Sequence, residues 1–259
     1  MRPLAVANWK MNKTLAEADA FVSEFTALRE NDPRADQRPE VVLAPPFTAL
    51  STLRGSLPET NLGLAAQDVS AQANGAFTGE ISASMLVDLG CRYCLVGHSE
   101  RRARWSESSE LVSRKATQLC ENGIAPIVCV GETQEQREAG QTSEIVLEML
   151  RKSLPPAGIP DSGSLVVAYE PVWAIGTGLT ATPEQAQEVH NLIRQCLTEE
   201  RGEIANEIRI LYGGSVNPGN ARAILSQDDI NGVLVGGASL DPLDFNKIVE
   251  FEDPEDVPS

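Results

Sequence analysis

Apolar residues in this chain gather into short unbroken runs. Residues 4–7, 41–44, Leu62–Ala66, 91–96, 126–130, 165–169, 208–212 and 232–235 form eight of them, each closed by polar or glycine residues. A strand with one wet face would alternate apolar and polar positions. An unbroken run is what a parallel strand buried on both faces needs. Between most of the runs the spacing turns helical. Thr14-Leu15-Ala16-Glu17 predicts a helix start with a capping box, and Thr182-Pro183-Glu184-Gln185 predicts another with Pro at the first helical position. Amphipathic stretches cover 107–122, 143–154 and Pro183–Arg201, and Asn217-Pro218 opens a shorter one. No break in composition and no long linker divides the chain.

Eight strand–helix repeats within roughly 250 residues predict an α/β fold, a single-domain (β/α)8 TIM barrel over residues 1–251. A doubly wound open sheet is the alternative, but no GxGxxG follows the first strand. Residues 252–259 read as a short acidic C-terminal tail.

Charge narrows the range of partners. The chain has 37 acidic against 21 basic residues, a net charge of −16, which argues against nucleic acid and against an anionic membrane surface. An anionic substrate would have to be drawn in locally, by helix N-termini or a lone Lys. No apolar run approaches the ~18 residues of a membrane span, and the N-terminal segment lacks the long apolar region of a secretory signal. A cytoplasmic location is expected. Five cysteines, an odd number, suit a reducing compartment. Cys91 and Cys94 form a CxxC, but Cys120, Cys129, His98 and His190 complete no usual zinc spacing, so Cys94 is expected to pack as a small apolar side chain.

In such barrels the chemistry sits at the C-terminal strand ends. Asn8, Trp9 and Lys10 follow the first run; Gly97-His98-Ser99-Glu100-Arg101-Arg102 follows the fourth. Glu170 ends the sixth, Gly213-Gly214-Ser215-Val216 follows the seventh and Gly236-Gly237 the eighth. Each has an ordinary reading alone: a solvated Lys, a structural His, a polar loop start, glycine turns. Together they make a base, an electrophile, a cation and an anion cradle at one end of one barrel. The glycine turns after strands seven and eight suit a phosphate held by main-chain N–H groups. Pro171 stiffens the chain after Glu170, while Gly176 and Gly178 permit unusual backbone angles, which together suggest a base with its own lid. No carboxylate cluster invites a metal and no cofactor motif is present, so metal-free and cofactor-free proton transfer on a small phosphorylated carbonyl compound is expected.

These residues closely resemble the triosephosphate isomerase family. The resemblance rests on Ala7-Asn8-Trp9-Lys10-Met11-Asn12, Gly75-Ala76-Phe77-Thr78-Gly79-Glu80, Gly97 through Arg102, Tyr169 through Gly178, and Tyr212-Gly213-Gly214-Ser215-Val216, in the family's order across residues 3–250. It implies interconversion of dihydroxyacetone phosphate and D-glyceraldehyde 3-phosphate through an enediolate, in glycolysis and gluconeogenesis, without a cofactor. On this resemblance Glu170 is the base, His98 the neutral electrophile at a helix N-terminus, Lys10 the nearby positive charge and Asn8 an orienting group. Glu100 pairs with the Lys10 and Asn8 network. Gly176, Ser215, Gly236 and Gly237 belong to the phosphate site, and Tyr212 with Ser215 latches the closed lid. The long loop 67–80, with Phe77 at its tip, enters a second subunit, where Thr78 braces the other site; a homodimer is implied. Leu179 stands where the family often has Lys, which touches only the lid's hinge. Trp105 is bulkier than expected at its position. Another phosphate-binding barrel isomerase would account for the glycines but not for His98, Lys10 or the lid. A non-catalytic barrel would be expected to have lost a catalytic group, and none is missing.

Overall fold

A computed structural model describes residues 1–30, 38–57, 60–158, 165–175 and 180–251. Eight parallel strands close in sequence order into a barrel. They are β1 (Leu4–Asn8), β2 (Glu40–Ala44), β3 (Leu62–Ala66), β4 (Tyr93–Val96), β5 (Ala125–Val130), β6 (Val166–Tyr169), β7 (Arg209–Tyr212) and β8 (Gly232–Val235). The helices are α1 (Leu15–Arg29), α2 (Phe47–Ser56), α3 (Ala83–Asp88), α4 (Ser99–Trp105), α5 (Ser109–Glu121), α6 (Gln134–Glu138), α7 (Thr142–Ser153), α8 (Pro183–Arg201), α9 (Ala221–Leu225) and α10 (Pro242–Glu250). β1 closes the ring, pairing Leu4 with Glu40 of β2 on one side and with Gly232 of β8 on the other.

The unbroken apolar runs have a plain physical cause. Along each strand alternate residues fall into two cores. Leu4, Val6, Val42, Ala44, Leu95, Ile127, Val166, Ala168 and Leu211 belong to a cluster made of strand residues alone, which fills the barrel. Ala5, Ala7, Val41, Leu43, Val96 and Val167 pack with Phe21, Phe25, Leu50, Ile193 and Phe245 of the surrounding helices. Neither face of a strand meets water, so neither face needs polar residues. At the N-terminal mouth Glu40 accepts hydrogen bonds from Tyr93 at 3.0 Å and Arg209 at 2.8 Å, and Arg209 also donates to the Tyr93 hydroxyl. That end is plugged, which leaves chemistry to the other.

The predicted starts shift by two residues or more in three places. β4 begins at Tyr93 rather than residue 91, because the Cys91 N–H folds back to the Leu86 carbonyl at 3.0 Å. α5 begins at Ser109 rather than residue 107, where the Ser108 hydroxyl caps the Leu111 N–H. The short helix after β7 begins at Ala221, not at Asn217-Pro218. There the Asn217 and Asn220 side chains accept the Gly219 and Asn217 N–H groups, which favours a turn over a helix. The caps at α1 and α8 form: Glu17 accepts the Thr14 N–H at 2.7 Å, and Gln185 accepts the Thr182 N–H at 3.0 Å. Cys91 and Cys94 are buried, and burial pushes the Cys91 thiol up to about 12. Among the described residues no helix is long and apolar enough to cross a membrane. The lid tip (Gly176, Gly178 and Leu179) and the acidic tail 252–259 lie outside the described residues.

Candidate active site

The C-terminal rim of the barrel opens into a cavity of about 420 Å3. Asn8, Lys10, His98, Glu100, Glu170, Ser215, Gly236 and Gly237 all line it, together with Ile175 and Gly213. Glu170 is the residue directly after β6. Its backbone N–H is fixed on the Val130 carbonyl at 2.8 Å, and its side chain is buried. Oε1 lies 2.8 Å from His98 Nε2, and Oε2 accepts the Ser99 N–H at 2.8 Å. Both oxygens are therefore engaged, one by a ring nitrogen and one by a main-chain N–H.

His98 caps α4, with its Nδ1 accepting the Glu100 N–H at 3.2 Å. That bond fixes the tautomer. An acceptor at Nδ1 favours the tautomer that carries its proton on Nε2, directed at Glu170. The partial positive charge of the α4 N-terminus also favours the neutral ring. Burial, the strongest influence on His98, pushes it toward the neutral form, but the charge and hydrogen bond of Glu170 outweigh burial and raise its pKa. That rise belongs to the contact with Glu170. Glu170 has the opposite balance. Burial pushes it up, while His98, the Ser99 N–H and Lys10 together hold it below the usual carboxylate range.

Lys10 reaches the cavity from an unusual backbone conformation, φ 51°. Its N–H is bonded to Asn8 Oδ1 at 3.1 Å, and its carbonyl accepts Gln67 Nε2 at 2.9 Å. The ammonium pairs with Glu100 at 2.7 Å. A side chain at Gly236 would press on the Lys10 stem, 3.3 Å from Cε, so the glycine lets the cation stand beside the β8 turn. In that turn Gly237 opens a short 3-10 helix, Gly237–Ser239, and its partner across the cavity is the Gly213–Ser215 turn after β7. These two glycine-bearing turns and the Lys10 ammonium border one cavity in an otherwise acidic molecule, the residue types that suit a phosphate-sized anion.

Not every expected residue converges here. Gly176 lies outside the described residues. Thr78 sits on an exposed loop and does not line this chain's own cavity. Tyr212 is buried under Gly214, and burial pushes its pKa up to about 12 against the opposing influence of the Ala181 backbone N–H. Two residues beside the site were missed by the sequence reading. Gln67, directly after β3, holds the carbonyls of Lys10 and Ala44. Glu132, two positions after β5, is fully buried and accepts from Tyr169 at 3.1 Å, Trp173 at 3.0 Å and Arg137 at 3.2 Å. It thereby grips the chain on both sides of Glu170. Both follow strand ends, so the rule that found His98 and Glu170 finds them when extended to strands three and five.

Comparison with known proteins agrees with this geometry. The sequence model of the triosephosphate isomerase family matches residues 3–252. The triosephosphate isomerase of Thermus thermophilus is 50% identical over 241 residues, 93% of this chain and 94% of that protein. That of Chloroflexus aurantiacus is 47% identical over 252 residues, covering 96% and 99%. That of Herminiimonas arsenicoxydans is 48% identical over 248 residues, covering 96% and 98%.

Proposed function

The chain belongs to the triosephosphate isomerase family and acts as an isomerase of dihydroxyacetone phosphate and D-glyceraldehyde 3-phosphate, a glycolytic reaction; we propose that Glu170, His98, Lys10 and Asn8 carry it. In this reading Glu170 removes the proton from the carbon beside the carbonyl. The electron pair moves onto the carbonyl oxygen, to which His98 Nε2–H donates, giving an enediolate. His98 then passes a proton between the two oxygens, and Glu170 returns its proton to the neighbouring carbon. No atom is gained or lost, and no cofactor enters. Lys10 offsets the negative charge of phosphate and enediolate, and Asn8 orients the substrate as well as fixing the Lys10 backbone. Glu100 holds the ammonium in place.

Gly176, Ser215, Gly236 and Gly237 are assigned to the phosphate, Gly176 arriving with the lid. Water exclusion by that lid would strengthen both the base and the contacts to the enediolate, because a carboxylate with an ordinary pKa of about 4.3 is a weak base toward carbon. Tyr212 and Ser215 are assigned to latching it. The same reading includes one barrel domain through residue 251, a cytoplasmic location, and a homodimer through loop 67–80 in which Thr78 supports the neighbouring site.

The observation that carries the assignment is the 2.8 Å contact between His98 Nε2 and Glu170, facing Lys10 across one cavity. A coupled NADH assay tests it. Purified protein should interconvert the two triose phosphates without added metal, and Glu170→Gln should lower kcat by roughly 10²–10⁴-fold with little change in substrate binding. Near wild-type kcat in that variant would remove Glu170 from the base role.

A further inference from the structure

Behind the His98–Glu170 pair lies a guanidinium that the chemistry above does not use. Arg102 projects from α4 with Nε donating to the Gly97 carbonyl at 2.8 Å. One terminal nitrogen donates to the Cys129 carbonyl at 3.1 Å and to Ser153 Oγ at 3.0 Å, the other to Ser109 Oγ at 3.2 Å. Each of these acceptors is neutral. That is unusual in a chain with 37 acidic residues. The neighbouring Arg101 pairs with Asp68 and Glu107 at 2.7 Å each. Withdrawing a guanidinium from water with no carboxylate against it costs free energy, and burial accordingly pulls the Arg102 pKa below its usual value. Such a placement calls for a reason.

The two carbonyls supply it. Gly97 immediately precedes His98, and Cys129 precedes Val130, whose carbonyl holds the Glu170 N–H. The Arg102 fork thus joins the end of β4, which presents His98, to the end of β5, which anchors Glu170. The fork is itself held from outside: Ser153, at the end of α7, is fully buried, and Ser109 opens α5. Packing closes the arrangement. Gly97 has φ 68°, and a Cβ there would lie 2.7 Å from an Arg102 terminal nitrogen, so the guanidinium rests directly on the backbone turn that aims His98. The Arg102 N–H also donates to the His98 carbonyl at 3.1 Å.

We propose that Arg102 is a positioning residue: it sets the spacing and orientation of His98 relative to Glu170 by tying the Gly97 carbonyl to the Cys129 carbonyl. This rests on the reading of His98 and Glu170 as the reacting pair. Lysine cannot substitute, because a single ammonium has no planar fork to span two carbonyls and a hydroxyl at fixed angles.

A double-mutant cycle between Arg102→Lys and His98→Gln tests the proposal on the purified full chain. Arg102→Lys alone should lower kcat by about 10-fold, with KM within about two-fold, since a misplacement of ~1 Å costs up to two orders of magnitude in rate. In the His98→Gln background the same change should cost less than about two-fold, because coupled residues are non-additive. A merely structural Arg102 would give the same loss in both backgrounds, and that result, or unchanged kcat in Arg102→Lys, overturns the proposal. Unchanged kcat in His98→Gln would instead overturn the catalytic-pair reading. If Arg102→Lys does not yield folded protein, the Ser109→Ala, Ser153→Ala double variant keeps the guanidinium but frees its outer anchors. Its kcat loss, about three-fold, should likewise vanish with His98→Gln, and persistence of the loss would count against Arg102.

Discussion

Glu170 shows how burial and hydrogen bonding compete over one carboxylate. Burial pushes its pKa up; His98, the Ser99 N–H and Lys10 outweigh that and favour the ionised form. Its pKa lies below the ordinary carboxylate value, so removing a group that lowers it moves it upward. In His98→Gln the acid limb of the kcat/KM profile should therefore shift to higher pH, because this limb reports the free enzyme's base. An unmoved limb, or one displaced to lower pH, would show that His98 does not govern Glu170. Asn8, Lys10, His98 and Glu170 were legible in the sequence because each lies within three residues of an apolar run's end. Their partners were harder to read. Glu132 reaches Trp173 across 41 positions and Arg102 reaches Ser153 across 51, and nothing local in the sequence marks which distant polar groups the barrel brings together.

Among the elements, β6 and the chain after it form the most demanding junction. Tyr169 ends the strand, Pro171 follows Glu170, and residues Val172–Ala174 make one turn of 3-10 helix. Glu132 receives the Tyr169 hydroxyl and the Trp173 indole on a single oxygen, with Arg137 alongside. Its other oxygen is buried without a partner among the described residues. That is a costly way to hold a loop root unless a fixed root is needed for Glu170. Glu132→Gln keeps the shape and an acceptor oxygen but loses the charge facing Arg137. It should lower kcat by roughly 10-fold with a smaller change in KM, since the root's position, not the phosphate contacts, is disturbed. Equal losses in kcat and in phosphate affinity would argue against this. Element type was readable because period and length agree; element ends were not, because Asn217, Asn220 and Ser108 settle them with side-chain hydrogen bonds that periodicity does not encode.

For the molecule as a whole, the outer surface carries the remaining argument. A lone chain leaves Met11 95%, Trp105 68%, Met85 53% and Phe77 48% exposed, a large apolar load for a monomer. Phe47, Ile81, Met85 and Leu89 line one groove beside the base of loop 67–80. Residues 72–80 are exposed, yet the loop is tied by the Ser70 N–H on the Ile81 carbonyl at 2.8 Å and by the Glu80 N–H on the Phe77 carbonyl at 3.0 Å. An ordered loop with an aromatic tip suits insertion into a second copy. Under the proposed dimer, Phe77→Glu should sediment as a monomer at micromolar concentration where the unaltered chain should sediment as a dimer, and its kcat should fall with the loss of the support proposed for Thr78. Salt gives a second reading of the same equilibrium. Two chains of charge −16 repel each other on approach, and at 0.1 M ionic strength that repulsion is screened beyond roughly 10 Å. Dimer dissociation on dilution should therefore be weaker at 0.3 M than at 0.03 M salt, opposite to an interface held by ion pairs. A fully active monomer, or a dimer loosened by salt, would refute an apolar interface built on loop 67–80.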